Sequence, residues 1–375
     1  MILLNRKFSS NFYQVTFAFA NFFIVLTGSA QQIQSQAFNG DTYVRGFTLP
    51  LSPYLSNDAR ASMLGSISRG DSMAHMDNKT LARDRTKLRA EVDNWAREEI
   101  NSLKKIYPVK VVSENWGNVP VVVVTPTKVL RTADGNAPLI IELHGGGFFF
   151  GRASTLGLLD AIPVAVLTGS TVVAVDYRQG PEHQFPAASE DVAIVYRQAL
   201  KRYNAKSIGL FGCSAGGVLT AESLSWFQRE NLPTPAAAGI FCASGDARYG
   251  GDSRYVVAAV NSVPLPNNDG SQEIMEDLYY GPKANFRDPL ISPVFSNEVL
   301  ARFPPTLIVT ATRAAELSGA VFTHSRLTAM GIDSDLHVWD GLGHAFYLNS
   351  SLPESQEALQ VIARFFRRHL KIIEN

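Results

Sequence analysis

The sequence predicts an α/β fold, a mostly parallel eight-stranded sheet with helices on both faces, and three observations lead to it. From Val109 onward, short β-branched runs alternate with helix-length stretches, the pattern left by a parallel sheet whose connections are helical crossovers. The 375 residues are 46% hydrophobic, enough to bury one large core with room for an appended element. Residues 31–108 lack strand patterning, and 79–106 is charged and helical in period, so the N-terminal part should cover the sheet and not extend it.

At the N-terminus, Arg6 and Lys7 precede a largely apolar run at 15–26 and then Gly28-Ser29-Ala30. That is the order of a secretory signal: the run is shorter than the ~20 residues a membrane span needs, and the small residues suit cleavage after Ala30. Residues 1–30 are therefore expected to be a signal peptide removed on export, to the periplasm or outside the cell, leaving no stable membrane anchor; an uncleaved anchor is the alternative. Leu81, Leu88, Val92, Trp95 and Ile100 then mark the apolar positions of a covering helix. Strands are expected at 109–112, 121–124, 139–143, 171–175, 207–211, 239–243, 307–310 and 335–339, and helices at 188–203, 215–229, 317–330 and 355–370. In the last helix Leu359, Ile362, Phe366 and Leu370 share one face, as in a helix docked on a sheet. The stretch 248–287, rich in Gly, Asn, Pro and Tyr, reads as a long excursion after the sixth strand, either the rim of a site or a plain surface loop.

Charge and cysteine content narrow the partners. Basic and acidic residues number 34 each and are interspersed, giving no basic face for nucleic acid and no polybasic anchor for anionic lipid. A small neutral molecule is the expected partner. The two cysteines, Cys213 and Cys242, show no metal-site spacing; they fall near the ends of neighbouring strands and are expected as free, buried thiols.

Three motifs carry chemistry. Gly212-Cys213-Ser214-Ala215-Gly216, between an apolar strand and a helix-forming run, fits the turn that lifts a serine nucleophile above a sheet, with the N–H of Ala215 at the helix start facing a developing oxyanion. His144-Gly145-Gly146-Gly147 follows the third strand, and its glycines let the N–H groups of Gly145 and Gly146 face the same point; His144 itself is read as an anchor for the loop. His344, in Gly343-His344-Ala345-Phe346 past the last strand, lies where parallel sheets gather reacting groups and can take the Ser214 proton. Phe148, Phe149 and Phe150 either limit the depth of an acyl site or are buried.

Together with Asp176-Tyr177-Arg178, Pro181-Glu182, Phe185-Pro186-Ala187, Asp288-Pro289 and Ser292-Pro293, these motifs resemble the hormone-sensitive-lipase-like family of α/β-hydrolases, from about Val109 to the C-terminus. The resemblance implies a carboxylesterase acting on short or medium acyl esters without cofactor or metal, residues 109–375 as its catalytic domain and 31–108 as a helical cap. It also implies that Asp176, Arg178 and Glu182 are scaffold. One position departs from the family: Ala314 stands where the acid of the triad is usual. Glu316, two residues on, has the expected chain order and becomes the candidate, with Asp340 as the alternative and no acid as the third. Lactone or amide hydrolysis, including removal of acetyl groups, would use the same machinery. A non-catalytic ligand-binding relative is the reading that Ala314 favours.

Overall fold

The computed structural model of the chain describes residue 46 and residues 48–69, 77–260, 265–266 and 275–373; the expected signal segment, 1–30, lies outside them. Among the described residues two helices come first, α1 (Asn57–Arg69) and α2 (Asn78–Ile106). Asp77 caps α2 by accepting the N–H of Thr80 at 2.7 Å. Leu81, Leu88, Ile100 and Leu103 bury one side of this helix, whereas Trp95, expected among the apolar positions, is 49% exposed on the other.

All eight expected strands form: β1 (Val109–Trp116), β2 (Val119–Pro126), β3 (Leu139–Leu143), β4 (Thr171–Val175), β5 (Ile208–Cys213), β6 (Ala237–Phe241), β7 (Thr306–Arg313) and β8 (Ser334–Gly343). They lie in the order β1-β2-β4-β3-β5-β6-β7-β8. The β1–β2 and β2–β4 pairs are antiparallel and the others parallel. The two edge strands run longer than expected: Ser113, Glu114 and Asn115 are exposed, so nothing in their hydropathy marks them as strand. At the other edge, β8 continues past a shift in register to pair Gly343 with Arg313, carrying the chain to the threshold of His344.

Helices α4 (Ala187–Leu200), α5 (Ala215–Arg229) and α7 (Leu317–Ala329) pack on one face of the sheet. The second face carries α1, the end of α2, α3 (Leu156–Thr168) and α8 (Pro353–His369). Helix α6 (Asp252–Val260) lies in the excursion after β6. Sequence reading did not find α3. Its residues are buried all round, so it lacks the polar face that creates a helical period, and Pro163 lies inside it. The terminal helix docks as expected, with Phe366 fully buried beneath β5: a Cβ at Gly209 would lie 2.8 Å from its ring. The Ser56 hydroxyl donates to Glu354 at 2.9 Å, tying the start of α1 to α8. Among the described residues no helix is long and apolar enough to cross a membrane.

Replacing Phe366 by Ala leaves a cavity under the centre of the sheet. The expected cost is about 3–5 kcal/mol, read as a lower urea midpoint with an unchanged slope; a midpoint equal to that of the parent would show that α8 does not hold the sheet.

Candidate active site

The site is built at the C-terminal ends of β3, β5, β7 and β8. Ser214 follows β5 directly, with φ +56° and ψ −124°, a conformation that non-glycine residues seldom adopt. Three hydrogen bonds hold it: its N–H donates to Phe241 at 2.8 Å, and its carbonyl accepts from Gly217 and Val218 at 2.9 and 3.0 Å. Helix α5 starts at Ala215, and the next residue must be glycine, because a Cβ at 216 would stand 1.8 Å from the Leu143 carbonyl oxygen. Elbow and β3 are thus in backbone contact. Gly145 continues that contact, its missing Cβ 3.3 Å from the Cβ of Ser214. Of the expected oxyanion donors, Gly145 and Ala215 are in this way brought beside the serine from two elements, and Gly146 follows in the same loop, packed against Phe150.

His144 is fully buried and stacks on Tyr177, ring centroids 4.2 Å apart. Its Nδ1–H donates to the Gly145 carbonyl at 2.8 Å, and the Tyr177 hydroxyl donates to the His144 carbonyl at 2.6 Å. Burial holds the ring below its ordinary pKa. This is the geometry of a loop anchor.

His344 bridges the other two groups. The Ser214 hydroxyl donates to His344 Nε2 at 2.9 Å, and His344 Nδ1–H donates to Glu316 Oε2 at 3.0 Å. Glu316 stands at the start of α7, 1% exposed, and its other oxygen accepts from Thr310 at 3.3 Å. Asp340 lies within β8 and is used elsewhere: it accepts from Ser52 and from Thr312, the latter at 3.0 Å. Asp333 and Asp335 face His369 and Arg368. The position of the usual acid, Ala314, is buried in the core.

Burial alone would lower the His344 pKa, but the charge of Glu316 and the hydrogen bond to it win, and His344 is pushed up to about 9. For Glu316 burial would raise the carboxyl; His344 reverses that and holds it below the usual value. Cys213 and Cys242 are free, buried and adjacent, with both thiols pushed up, Cys213 by its hydrogen bond with Cys242 and by burial, Cys242 by burial first. Among the described residues no group of three or more His, Cys, Asp or Glu is placed to hold a metal ion.

The surrounding motif residues form ion pairs. Arg178 binds Asp191 at 2.9 Å and Glu190 at 3.0 Å, Asp176 accepts the Ala153 N–H, and Glu182 binds Arg85 and Arg89. Arg89 was not singled out in the sequence. It donates to the carbonyls of Phe149 and Gly180 and lies over the Phe149 ring, so α2 grips the chain that leaves the glycine loop. No local pattern announces such a contact across 60 residues. The three phenylalanines are buried, Phe148 stacked on Tyr279 and Phe149 and Phe150 packed with Leu81 and Leu88. They therefore do not set the depth of an open pocket.

A protein-family model described as alpha/beta hydrolase fold matches residues 140–348, over half of the chain. An esterase of Gibberella moniliformis is 27% identical over 245 residues, 63% of this chain and 76% of that protein. The carboxylesterase/phospholipase LipF of Mycobacterium tuberculosis is 28% identical over 249 residues, 64% of each. Among solved structures, the esterase E25 superposes with a TM-score of 0.71 at 28% identity, covering 88% of this chain and 99% of that one. An esterase from the bacterial hormone-sensitive lipase family gives 0.64 at 27% identity over 77% and 98%.

The His344–Glu316 pair has a direct readout. The His344 ring protons should titrate well above the ~6.5 of free imidazole. Glu316→Gln removes the negative charge that favours imidazolium, so the midpoint should move down toward that value. A midpoint that does not move, followed by NMR, would break the pairing.

Proposed function

The chain belongs to the alpha/beta hydrolase fold family, its likeness running to the hormone-sensitive-lipase branch, and we propose that it hydrolyses short- to medium-chain carboxylic esters through an acyl-enzyme on Ser214. One observation carries the assignment: the unbroken chain Ser214–His344–Glu316, with links of 2.9 and 3.0 Å, standing beside the glycine loop.

In this reaction the neutral form of the His344 ring is the base: Ser214 Oγ attacks the ester carbonyl as its proton passes to Nε2, and the carbonyl oxygen takes up negative charge facing the N–H groups of Gly145, Gly146 and Ala215. Each such donor is worth about 3 kcal/mol in comparable sites. The tetrahedral adduct collapses, its C–O bond to the alcohol breaks, and His344 returns the proton to the leaving alkoxide. Water then repeats the sequence on the acyl-serine. Glu316 fixes the ring with Nδ1 protonated, so that Nε2 faces the serine, and it stabilises the imidazolium while the charge exists. Helices α1 and α2 serve as the cap. Butyrate esters are the natural first substrate, since crystals of the related esterase EstE5, 25% identical, were soaked with p-nitrophenyl butyrate. Export of the mature protein from Gln31 is supported by the charge and apolar pattern of residues 1–30.

With p-nitrophenyl butyrate, Ser214→Ala and His344→Ala should each lose about 10^4-fold or more in kcat. Glu316→Gln should lose by a comparable factor while Asp340→Asn keeps its kcat, its bonds being to Ser52 and Thr312. The reverse ranking of these last two variants would move the acid to Asp340. N-terminal sequencing of exported material should read from Gln31; an intact Met1 on that material would refute cleavage.

A further inference from the structure

The excursion after β6 brings a second carboxylate into the neighbourhood of the glycine loop and His344. Its described segment at 275–280 is pinned at several points. Met275 fills the space above Gly147, where a Cβ would lie 2.0 Å from its terminal methyl. Tyr279 stacks on Phe148 at 4.5 Å, and the Tyr280 hydroxyl donates to the buried Glu222 at 2.6 Å. Glu276 is fixed between these anchors, its carbonyl accepting from Tyr279 and Tyr280. Its carboxylate and the His344 ring are near enough for their charges to act on each other. Among the described residues no side chain hydrogen-bonds that carboxylate; its own backbone N–H is its one donor.

Tyr249 approaches from the other side. Its backbone, at φ +50°, seats against the first turns of α7 behind Glu316, where a Cβ at Gly319 would be 3.8 Å from its Cα. Its hydroxyl is buried with no hydrogen-bond partner and feels the charges of both Glu276 and Glu316. The nearby cations are engaged: Arg248 with Asp277 at 3.1 Å, and Arg254 with the Arg248 carbonyl at 3.1 Å. The Tyr249 hydroxyl, buried without a hydrogen-bond partner, costs free energy that a bound donor would recover, and the half-buried Glu276 carboxylate has acceptor capacity left beyond its own backbone N–H.

Resting on the esterase reading, we propose that Glu276 and Tyr249 form a subsite for a protonated amine, so that the enzyme prefers esters carrying a cationic ammonium group over neutral esters of the same shape. The ammonium N–H would donate to the Glu276 carboxylate, with the Tyr249 oxygen as a second acceptor. Neither residue takes part in bond making.

Two isosteric pairs test this in a pH-stat assay near neutrality. 2-(Dimethylamino)ethyl butyrate against 3-methylbutyl butyrate varies the alcohol; ethyl 3-(dimethylamino)propanoate against ethyl 4-methylpentanoate varies the acyl group. The readout is the kcat/KM ratio of cationic to neutral ester, compared between parent and Glu276→Gln, which cancels their intrinsic reactivities. In one pair the ratio should fall about tenfold in the variant, the loss carried mainly by KM, and Tyr249→Phe should move it in the same direction by less. Ratios unchanged by Glu276→Gln in both pairs would overturn the subsite. Should that variant fail to fold, salt decides: the parent's ratio must shrink as NaCl is raised to about 0.5 M, and a salt-indifferent ratio overturns the proposal. Failure to hydrolyse any of the four esters would instead overturn the esterase reading itself.

Discussion

Ser214 can stand above the sheet only because the helix that follows it closes into backbone contact with the neighbouring strand. The turn stores strain at φ +56°, and the strain persists because hydrogen bonds from both sides leave the residue no alternative. The same closure puts Gly145 against the serine. Nucleophile and oxyanion loop are therefore not positioned independently: the contact between Gly216 and the Leu143 carbonyl fixes the distance between them, and the Tyr177 hydroxyl bond to His144 fixes the loop's direction. Arg89 adds a clamp from α2, so a segment that contributes nothing to the sheet still steadies the chain leaving the loop.

A carboxyl group's surroundings decide what it can do here. Glu142, Glu222 and Glu316 are all buried to 1% exposure or less. Burial pushes Glu142 and Glu222 well above the usual carboxylate range, and Tyr280, the partner of Glu222, carries no charge to offset it. Glu316 is buried to the same extent but faces an imidazole that becomes cationic, and it stays low. One opposing charge at 3.0 Å separates a structural acid from one able to stabilise an imidazolium.

Much of this was legible in the sequence, for physical reasons that also explain the failures. A turn as confined as the elbow demands small residues at fixed offsets, and a loop with several unusual backbone angles demands glycines, so both leave marks on the chain. Strands buried on both faces leave β-branched runs. Glu316 could be reached by position, because it had to lie at the C-terminal end of β7 and before His344. A helix buried all round leaves no period, which hid α3, and long-range clamps such as Arg89 with Phe149 depend on which distant segments meet. Trp95 was misplaced because a helical period locates a face only to within the width of a side chain. Glu276 escaped notice for a related reason: it lies in a stretch of weak patterning, and only the pinning of its neighbours brings it toward His344.

Ala314 is 1% exposed and packs with the core, while the acid that holds His344 sits two residues further along, at the head of the next helix. The hydrolytic site thus requires a carboxylate at a point in space and is indifferent to the sequence position that supplies it. Two carboxylates crowded at one imidazole would raise each other's pKa and share a proton, and none would leave the ring free to turn. Judged by the residue at position 314 alone, a site whose acid bonds His344 at 3.0 Å would be scored as lacking one.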